Sequence, residues 1–340
     1  LHKAIRRQRQ MCIRDRVRRM INYFMSGIEQ DVVSFIGIMA AFFLTCIFMV
    51  KCSGLLPKDA GRAYAHDGKL SAGKPRGAGF IFVLVFLGVS LLFGDITREN
   101  LIYLVLITAA MMTGFLDDCA KTPWGEYKKG LLDFLIAVMI AVTFVNFNST
   151  TVYLAMTNQT IEIPPVIFGL LTVILVWVSI NVTNCSDGVD GLSGTLSIIS
   201  LLTLYIIMKL AGTDMEFGYF VLLFVTCILG YLWFNATPSI LMMGDAGSRA
   251  MGLVIAIAAL KCRSPFLYLL AALVLILDGG LGLVKVALLR FLKIKILANT
   301  RTPLHDHVRK VWNWSNTQAV YRFAIIQIVI SVAVVYLYML

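Results

Sequence analysis

The chain has 340 residues, 59% of them hydrophobic and only 14% charged, with a mean hydropathy of +0.83. That balance lies outside the range of soluble domains and excludes disorder, coiled coil and collagen. Apolar runs recur along the whole length and leave no room for a separate water-soluble domain, so the fold class is an all-α, polytopic membrane protein.

The net charge of +11 is unevenly placed. Residues 1–19 hold Lys3, Arg6, Arg7, Arg9, Arg14, Arg16, Arg18 and Arg19 against Asp15 alone. A basic arm can meet anionic lipid or nucleic acid, but this one is short, lacks interleaved aromatics and precedes a membrane span. No nucleic-acid partner is expected. The seven cysteines are scattered and never take CxxC or zinc-ligand spacing, so they read as reduced thiols packed in or near helices.

In chain order, runs near the roughly 20 residues that cross a bilayer lie at about 31–50, 78–94, 100–116, 131–147, 165–180, 192–211, 217–234, 250–260, 265–289 and 319–339. Ten spans are expected, the eighth being the shortest. In hydrocarbon each must be helical, because lipid offers no partner to an unpaired amide. Lys and Arg orient them. Odd-numbered loops hold Lys51, Lys58, Arg62, Lys69, Lys74 and Arg76, then Lys121, Lys128 and Lys129, then Arg249, then Lys285, Arg290, Lys293, Lys295, Arg301, Arg309 and Lys310; even-numbered loops hold only Arg98, Lys209, Lys261 and Arg263. The odd loops are therefore expected in the cytoplasm and both termini outside. A basic arm before the first span resists that topology. Residues 1–19 are accordingly expected to be foreign to the native protein, which would start near Met20 or Met25, and residues 20–340 to form one membrane-embedded domain.

Carboxylates in or beside membrane segments are expensive and mark function by default. Here they fall in odd-numbered loops: Asp117 and Asp118 with Lys121 in the third; Asn181, Asn184, Asp187 and Asp190 among glycines in the fifth; Asn235 and Pro238, then Gly244, Asp245, Gly247 and Ser248, in the seventh; and His305, Asp306 and His307 after Pro303 in the ninth. One membrane face thus gathers acids, amides, imidazoles and lysines beside glycine-rich backbone. Carboxylate and amide oxygens suit Mg²⁺, which completes its shell with water and substrate phosphate. Lysines supply point charges for phosphate, and glycines let backbone amides approach an anion. Each motif also has a structural reading: helix capping for Asp117 and Asp118, a polar turn for residues 181–191, an Asx turn at Asp245, and solvated imidazoles for His305 and His307.

Taken together, these motifs resemble those of the polyprenyl-phosphate phosphosugar transferases of glycosyltransferase family 4, and within them the phospho-N-acetylmuramoyl-pentapeptide transferases of bacterial cell-wall synthesis. The resemblance covers roughly residues 31–340. It implies ten spans in the inner (plasma) membrane, a Mg²⁺ cofactor, UDP-N-acetylmuramoyl-pentapeptide and undecaprenyl phosphate as substrates, release of UMP, and a homodimer. It also implies roles: Asp245 as Mg²⁺ ligand, Asp117 as the acid that orients or deprotonates the lipid phosphate with Asp118 beside it, and Asn181, Asn184, Asp187 and Asp190 along the nucleotide and diphosphate pocket. Asn235 would lie near the ribose, Lys69, Lys121 and Lys129 would hold phosphates, and His305 and His307 would meet the nucleotide-sugar.

Three departures from the family pattern stand out. A Thr-Pro-Thr-Met-Gly-Gly stretch reads Lys74-Pro75-Arg76-Gly77-Ala78-Gly79, three consecutive histidines read His305-Asp306-His307, and an aromatic before the Gly-Asp pair is Met242. Transfer of N-acetylglucosamine-1-phosphate or another sugar phosphate is the alternative within the class. A secondary transporter is the alternative outside it, although its acids would sit at the bilayer midplane. Asp278 is the one acid deep in a long apolar run; with Gly279 and Gly280 after it, it is expected to mark a helix break and carries no chemical role.

Overall fold

The computed structural model describes residues 28–59, 61, 71–120, 122–155 and 157–339; the expectation for residues 1–19 lies outside them. Helices α1 (Gln30–Cys52), α2 (Gly79–Phe93), α3 (Arg98–Asp118), α4 (Glu126–Phe147), α5 (Pro165–Cys185), α6 (Leu192–Ala211), α7 (Met215–Asn235) and α8 (Gly244–Lys261) come first. They are followed by α9 (Pro265–Ala271) and α10 (Leu273–Leu292), and by α11 (Leu304–Lys310) and α12 (Asn316–Met339). Nine of the ten expected runs fall on one helix each, and the ninth, 265–289, is divided between α9 and α10. Seven of these helices, α1, α3, α4, α5, α6, α7 and α12, are long and apolar enough to cross a membrane, or eight spans if α9 and α10, bent by 70°, count as one.

Local chemistry sets the helix starts. Thr97 caps α3 by accepting the Asn100 N–H at 3.1 Å, Asp214 caps α7 by accepting from Phe217 at 2.9 Å, and Pro165 opens α5 where its missing N–H costs nothing. α1 buries the single stripe Val33, Gly37, Ala41, Thr45 and Met49, a four-residue repeat that leaves Phe35, Phe43 and Val50 exposed. In a membrane such an outward apolar face meets lipid.

The centre of the bundle is α8, every residue of which is buried. This is the run that hydropathy marks as shortest. It is only moderately apolar because it meets other helices rather than lipid, and its Gly and Ala residues let them approach closely. A Cβ on Gly79 would strike the backbone of Ala246 and Gly247, and one on Gly114 would strike the backbone of Asp245 and Ala246. On the third side, Ser179 of α5 donates its hydroxyl to the Gly252 carbonyl at 2.7 Å.

The helix directions bring the tips of the odd-numbered loops to one end of the bundle. At the other end Lys261, 3% exposed, places its Nζ at 2.6 Å from Glu99, 2.8 Å from Asp214 and 3.0 Å from Asn148 Oδ1. Tyr103 also donates to Glu99, at 2.7 Å. The ends of α3, α4, α7 and α8 are thus joined by one buried polar knot. Beside it an antiparallel hairpin, β1 (Thr151–Leu154) and β2 (Gln159–Glu162), fills a loop that hydropathy leaves without structure.

Because the obstacle at Gly114 is backbone, Gly114→Ala is expected to lower stability in detergent by about 1–3 kcal/mol. Gly88→Ala, whose new methyl group meets nothing within 4 Å, should leave thermal unfolding almost unchanged. Equal unfolding temperatures for the two variants would refute the tight seating of α8.

Candidate active site

Asp117 and Asp118 end α3, and their carboxylates diverge. Asp117 accepts the Trp124 backbone N–H at 2.7 Å and pairs with Lys129. Asp118 faces the other way, 3.0 Å from an Arg76 guanidinium nitrogen and accepting the Ala246 N–H at 3.3 Å. The repulsion expected between adjacent acids is relieved by separate cations rather than by a shared one. Lys121 and Lys69, read as phosphate contacts, lie outside the described residues.

Asp245 sits in the first turn of α8, where the helix dipole favours an anion. Lys129 reaches it at 3.1 Å, Arg76 at 3.6 Å and Arg249, one turn further on, at 3.8 Å. Arg249 in turn donates to Asp133 at 2.8 Å, both side chains being almost wholly buried. Asp133 and Arg249 are site residues that the motif reading missed. Asp133 is a lone acid in the fourth apolar run, the same signal that singles out Asp117, and Arg249 stands four residues after Asp245. Around this cluster Asp59, Asp117, Asp118, Asp133 and Asp245 face Arg76, Lys129 and Arg249. Counted over the described residues of this cluster, five acids meet three bases, so the formal charge of the cluster is negative.

Arg76 comes from the departed Lys-Pro-Arg-Gly-Ala-Gly stretch. Backbone bonds fix that stretch to the loop before α8: Met242 N–H to Pro75 O at 2.8 Å, Ala78 N–H to Met242 O at 3.0 Å and Gly79 N–H to Met243 O at 2.9 Å. Met242 acts here through its main chain. Lys74 donates to Ser239 Oγ at 3.1 Å.

The fifth loop closes the next side. Asn181 donates to Trp177 O at 2.9 Å and to Asp133 at 3.5 Å, and Asn184 donates to Ser248 Oγ at 3.0 Å. Asp190 accepts the Ser239 N–H at 3.2 Å. Both amide atoms of Asn235 are engaged, Oδ1 by the Gly191 N–H at 2.8 Å and Nδ2 by Leu241 O at 2.9 Å. Asp187 is half-buried at the loop tip.

The ninth loop arrives over this one, because His305 packs against Gly188, where any Cβ would strike the imidazole. His307 accepts the Arg301 N–H at 3.2 Å and meets the Trp312 ring edge-on. Asp306, in the middle histidine's place, bonds Arg309 at 2.9 Å and Lys310 at 3.0 Å. Burial pushes its carboxyl upward, but these two cations outweigh burial and hold it below the ordinary carboxylate range. Asp278 is more than the mark of a helix break. The 70° bend lies between Ala271 and Leu273, whereas Asp278 is fully buried and bonded to His305.

Mg²⁺ uses one or two carboxylates and completes its shell with water and phosphate oxygens. Among the described residues no group of three or more His, Cys, Asp or Glu is arranged to hold a metal ion. Asp118 Oδ1, however, is buried with no hydrogen bond besides its ion pair with Arg76 at 3.0 Å, and hard oxygens dominate a negatively charged cluster. That donor set fits a shared, substrate-completed Mg²⁺ and does not fit a closed all-protein cage.

Removing the acid from the buried Asp133–Arg249 pair leaves the guanidinium with the longer 3.8 Å contact to Asp245 in place of its 2.8 Å partner. Asp133→Ala is therefore expected to cost about 3–5 kcal/mol, and the double variant Asp133→Leu/Arg249→Met markedly less. Chemical denaturation in detergent would measure both, and a single variant as stable as the parent would contradict the pairing.

Residues 100–263 match the model for glycosyl transferase family 4. A Treponema pallidum (strain Nichols) protein named phospho-N-acetylmuramoyl-pentapeptide-transferase is 41% identical over 310 residues, covering 86% of this chain and 85% of its own length. Proteins of the same name from Symbiobacterium thermophilum and Wolbachia pipientis wMel are 29% and 27% identical, over 76% of this chain in each case and 79% and 82% of their own lengths.

Proposed function

Because the chain belongs to glycosyl transferase family 4, among its phospho-N-acetylmuramoyl-pentapeptide transferases, we propose that it transfers phospho-N-acetylmuramoyl-pentapeptide from its UDP-linked donor to undecaprenyl phosphate. An oxygen of the lipid phosphate attacks the sugar-linked phosphorus, a new P–O bond forms, the bond to UMP breaks, and UMP leaves. The product is the first lipid-linked intermediate of peptidoglycan synthesis. The observation that carries this reading is the linkage of Asp117 and Asp245, from helices far apart in sequence, through the single ammonium of Lys129.

Phosphoryl transfer asks a protein for positioning and charge neutralisation more than for covalent chemistry. Asp117 orients the lipid phosphate and takes its proton, a role supported by its contacts with the Trp124 N–H and Lys129. Lys129 and Arg76 offer charge to phosphate oxygens at the point where donor and acceptor meet. Asp187 and Asp190 line the nucleotide side with Asn181 and Asn184, and Asn235 serves that side by fixing the Gly191 backbone. His305 and His307 meet the nucleotide-sugar from above Gly188. Asp245 is the residue that would hold Mg²⁺, with Asp118 beside it. When bound, Mg²⁺ supplies Lewis-acid polarisation of the diphosphate.

The membrane arrangement belongs to the same proposal: ten spans in the bacterial inner membrane, with the site end in the cytoplasm and both termini outside. The gathering of Lys and Arg in the odd-numbered loops supports it. Asp278 lies in the ninth apolar run, ahead of the last loop of the motif set, and its contact with His305 supports an origin of all these groups on one side.

Purified protein given undecaprenyl phosphate and either UDP-N-acetylmuramoyl-pentapeptide or UDP-N-acetylglucosamine, with Mg²⁺ or with chelator, tests the reading. Lipid product is expected only from the muramoyl donor and only with Mg²⁺, and exclusive use of the second donor would defeat the substrate assignment. Asp117→Asn and Asp245→Asn should each abolish turnover while thermal unfolding stays near that of the parent. Retained turnover removes the substituted residue from the catalytic set.

A further inference from the structure

Asp278 and His305 form a pair that the transfer chemistry does not yet use. The Asp278 carboxylate accepts the His305 backbone N–H at 2.7 Å through one oxygen and meets ring Nδ1 at 2.8 Å through the other. The Asp278 side chain is wholly shielded from solvent and that of His305 is 4% exposed. The aspartate lies in a widened π-turn, Ile276–Gly280, a geometry that recurs at functional positions because it re-aims a side chain out of the regular helix. A second device presses the turn onto the end of α5. A Cβ at Gly279 would strike the Val182 carbonyl and Ser186 Oγ, and Ser186 donates to the Leu275 carbonyl at 3.3 Å. Asp278 is thereby seated under the segment that carries Asn184, Asp187 and Asp190.

We propose that Asp278 is the positioning residue of His305, holding the ring proton on Nδ1 so that Nε2 is presented to the nucleotide-sugar beside Gly188. An ionised carboxylate can only accept, so the nitrogen facing it must donate, and the tautomer follows from the partner. The backbone bond to the other oxygen fixes the main chain at the same residue, which leaves the ring one orientation. Gly188 completes the arrangement: His305 Nε2 is the atom nearest to where its Cβ would be, so this edge of the ring faces the loop of Asp187 and Asp190. The inference rests on the proposed contact between His305 and the nucleotide-sugar and adds what makes that contact directional.

The test uses the full chain in detergent, with UDP-N-acetylmuramoyl-pentapeptide as the probe. Four variants are compared: Asp278→Asn, Asp278→Glu, His305→Gln and the double variant Asp278→Asn/His305→Gln. Asp278→Asn is expected to weaken donor affinity about tenfold, the lower end of what loss of an orienting partner costs a metal-ligating histidine, with a smaller effect on kcat. Asp278→Glu should recover part of the loss, and the double variant should be no worse than His305→Gln alone. Nitrogen-15 spectra of labelled histidine give a readout that mere packing would not move. The Nδ1 and Nε2 resonances of His305, assigned by their disappearance in His305→Gln, should shift toward the other tautomer in Asp278→Asn. Unchanged resonances, or additive losses in the double variant, overturn the proposal. Should Asp278→Asn fail to fold, the Asp278→Glu spectrum decides, because the carboxylate that remains must keep Nδ1 protonated. If His305→Gln leaves donor affinity intact, the contact between His305 and the nucleotide-sugar falls, whereas the spectra still decide whether Asp278 holds the tautomer.

Discussion

Burying carboxylates at the head of a helix that touches no lipid demands counter-charge, and the site is arranged around that demand. Asp245 opens α8 among α2, α3 and α5, and its charge is met by side chains from the surrounding helices and loops and from α8 itself. Lys129 comes from α4, Arg76 from the loop before α2, and Arg249 from α8 itself. Each of these cations also serves a second acid, Asp117, Asp118 and Asp133 respectively. No carboxylate can be moved without disturbing a partner on another helix, which is how segments far apart in sequence come to share one chemical pocket. Among the described residues of the pocket the acids outnumber the bases, which leaves room for further positive charge in the proposed reaction between two anionic substrates.

Packing allows what electrostatics asks for. Gly79 and Gly114 bring α2 and α3 into backbone contact with the first turn of α8. Without that approach the Ala246 N–H would not reach Asp118, nor would residues 75–79 bond along the loop that precedes Gly244. Small residues and charged residues thus act as one device. The first bring the main chains together, and the second fix the register in which they meet.

Much of this was legible in the sequence, for definite reasons. Hydropathy marked the helices because lipid imposes a strong and uniform selection on the faces it touches. It was least informative at α8, which is shielded from lipid, and at the hairpin of residues 151–162, which lies outside the apolar runs. Acids near the ends of runs revealed Asp117, Asp118 and Asp245, since charge at a membrane edge seldom lacks a purpose. The same logic applied to Asp133 and Arg249 but was obscured. Asp133 stands alone in an apolar segment with no motif around it, and Arg249 enters the sequence reading only as an orienting charge. Asp278 looked like the companion of two glycines, because nothing in a linear sequence shows that Gly279 draws its turn toward α5 or that a histidine 27 positions later closes over it. The polar knot around Lys261 was equally hidden, its members being dispersed from Glu99 to Lys261.

That knot has a mechanical consequence. The helices α3, α4, α7 and α8 are pinned at one tip where Glu99, Asn148, Asp214 and Lys261 meet, and α3, α4 and α8 are pinned again at the opposite tip through Lys129 and the Asp133–Arg249 pair. A rod clamped at both ends keeps its distance from its neighbours, so the three helices that carry Asp117, Lys129 and Asp245 hold those groups at fixed spacing.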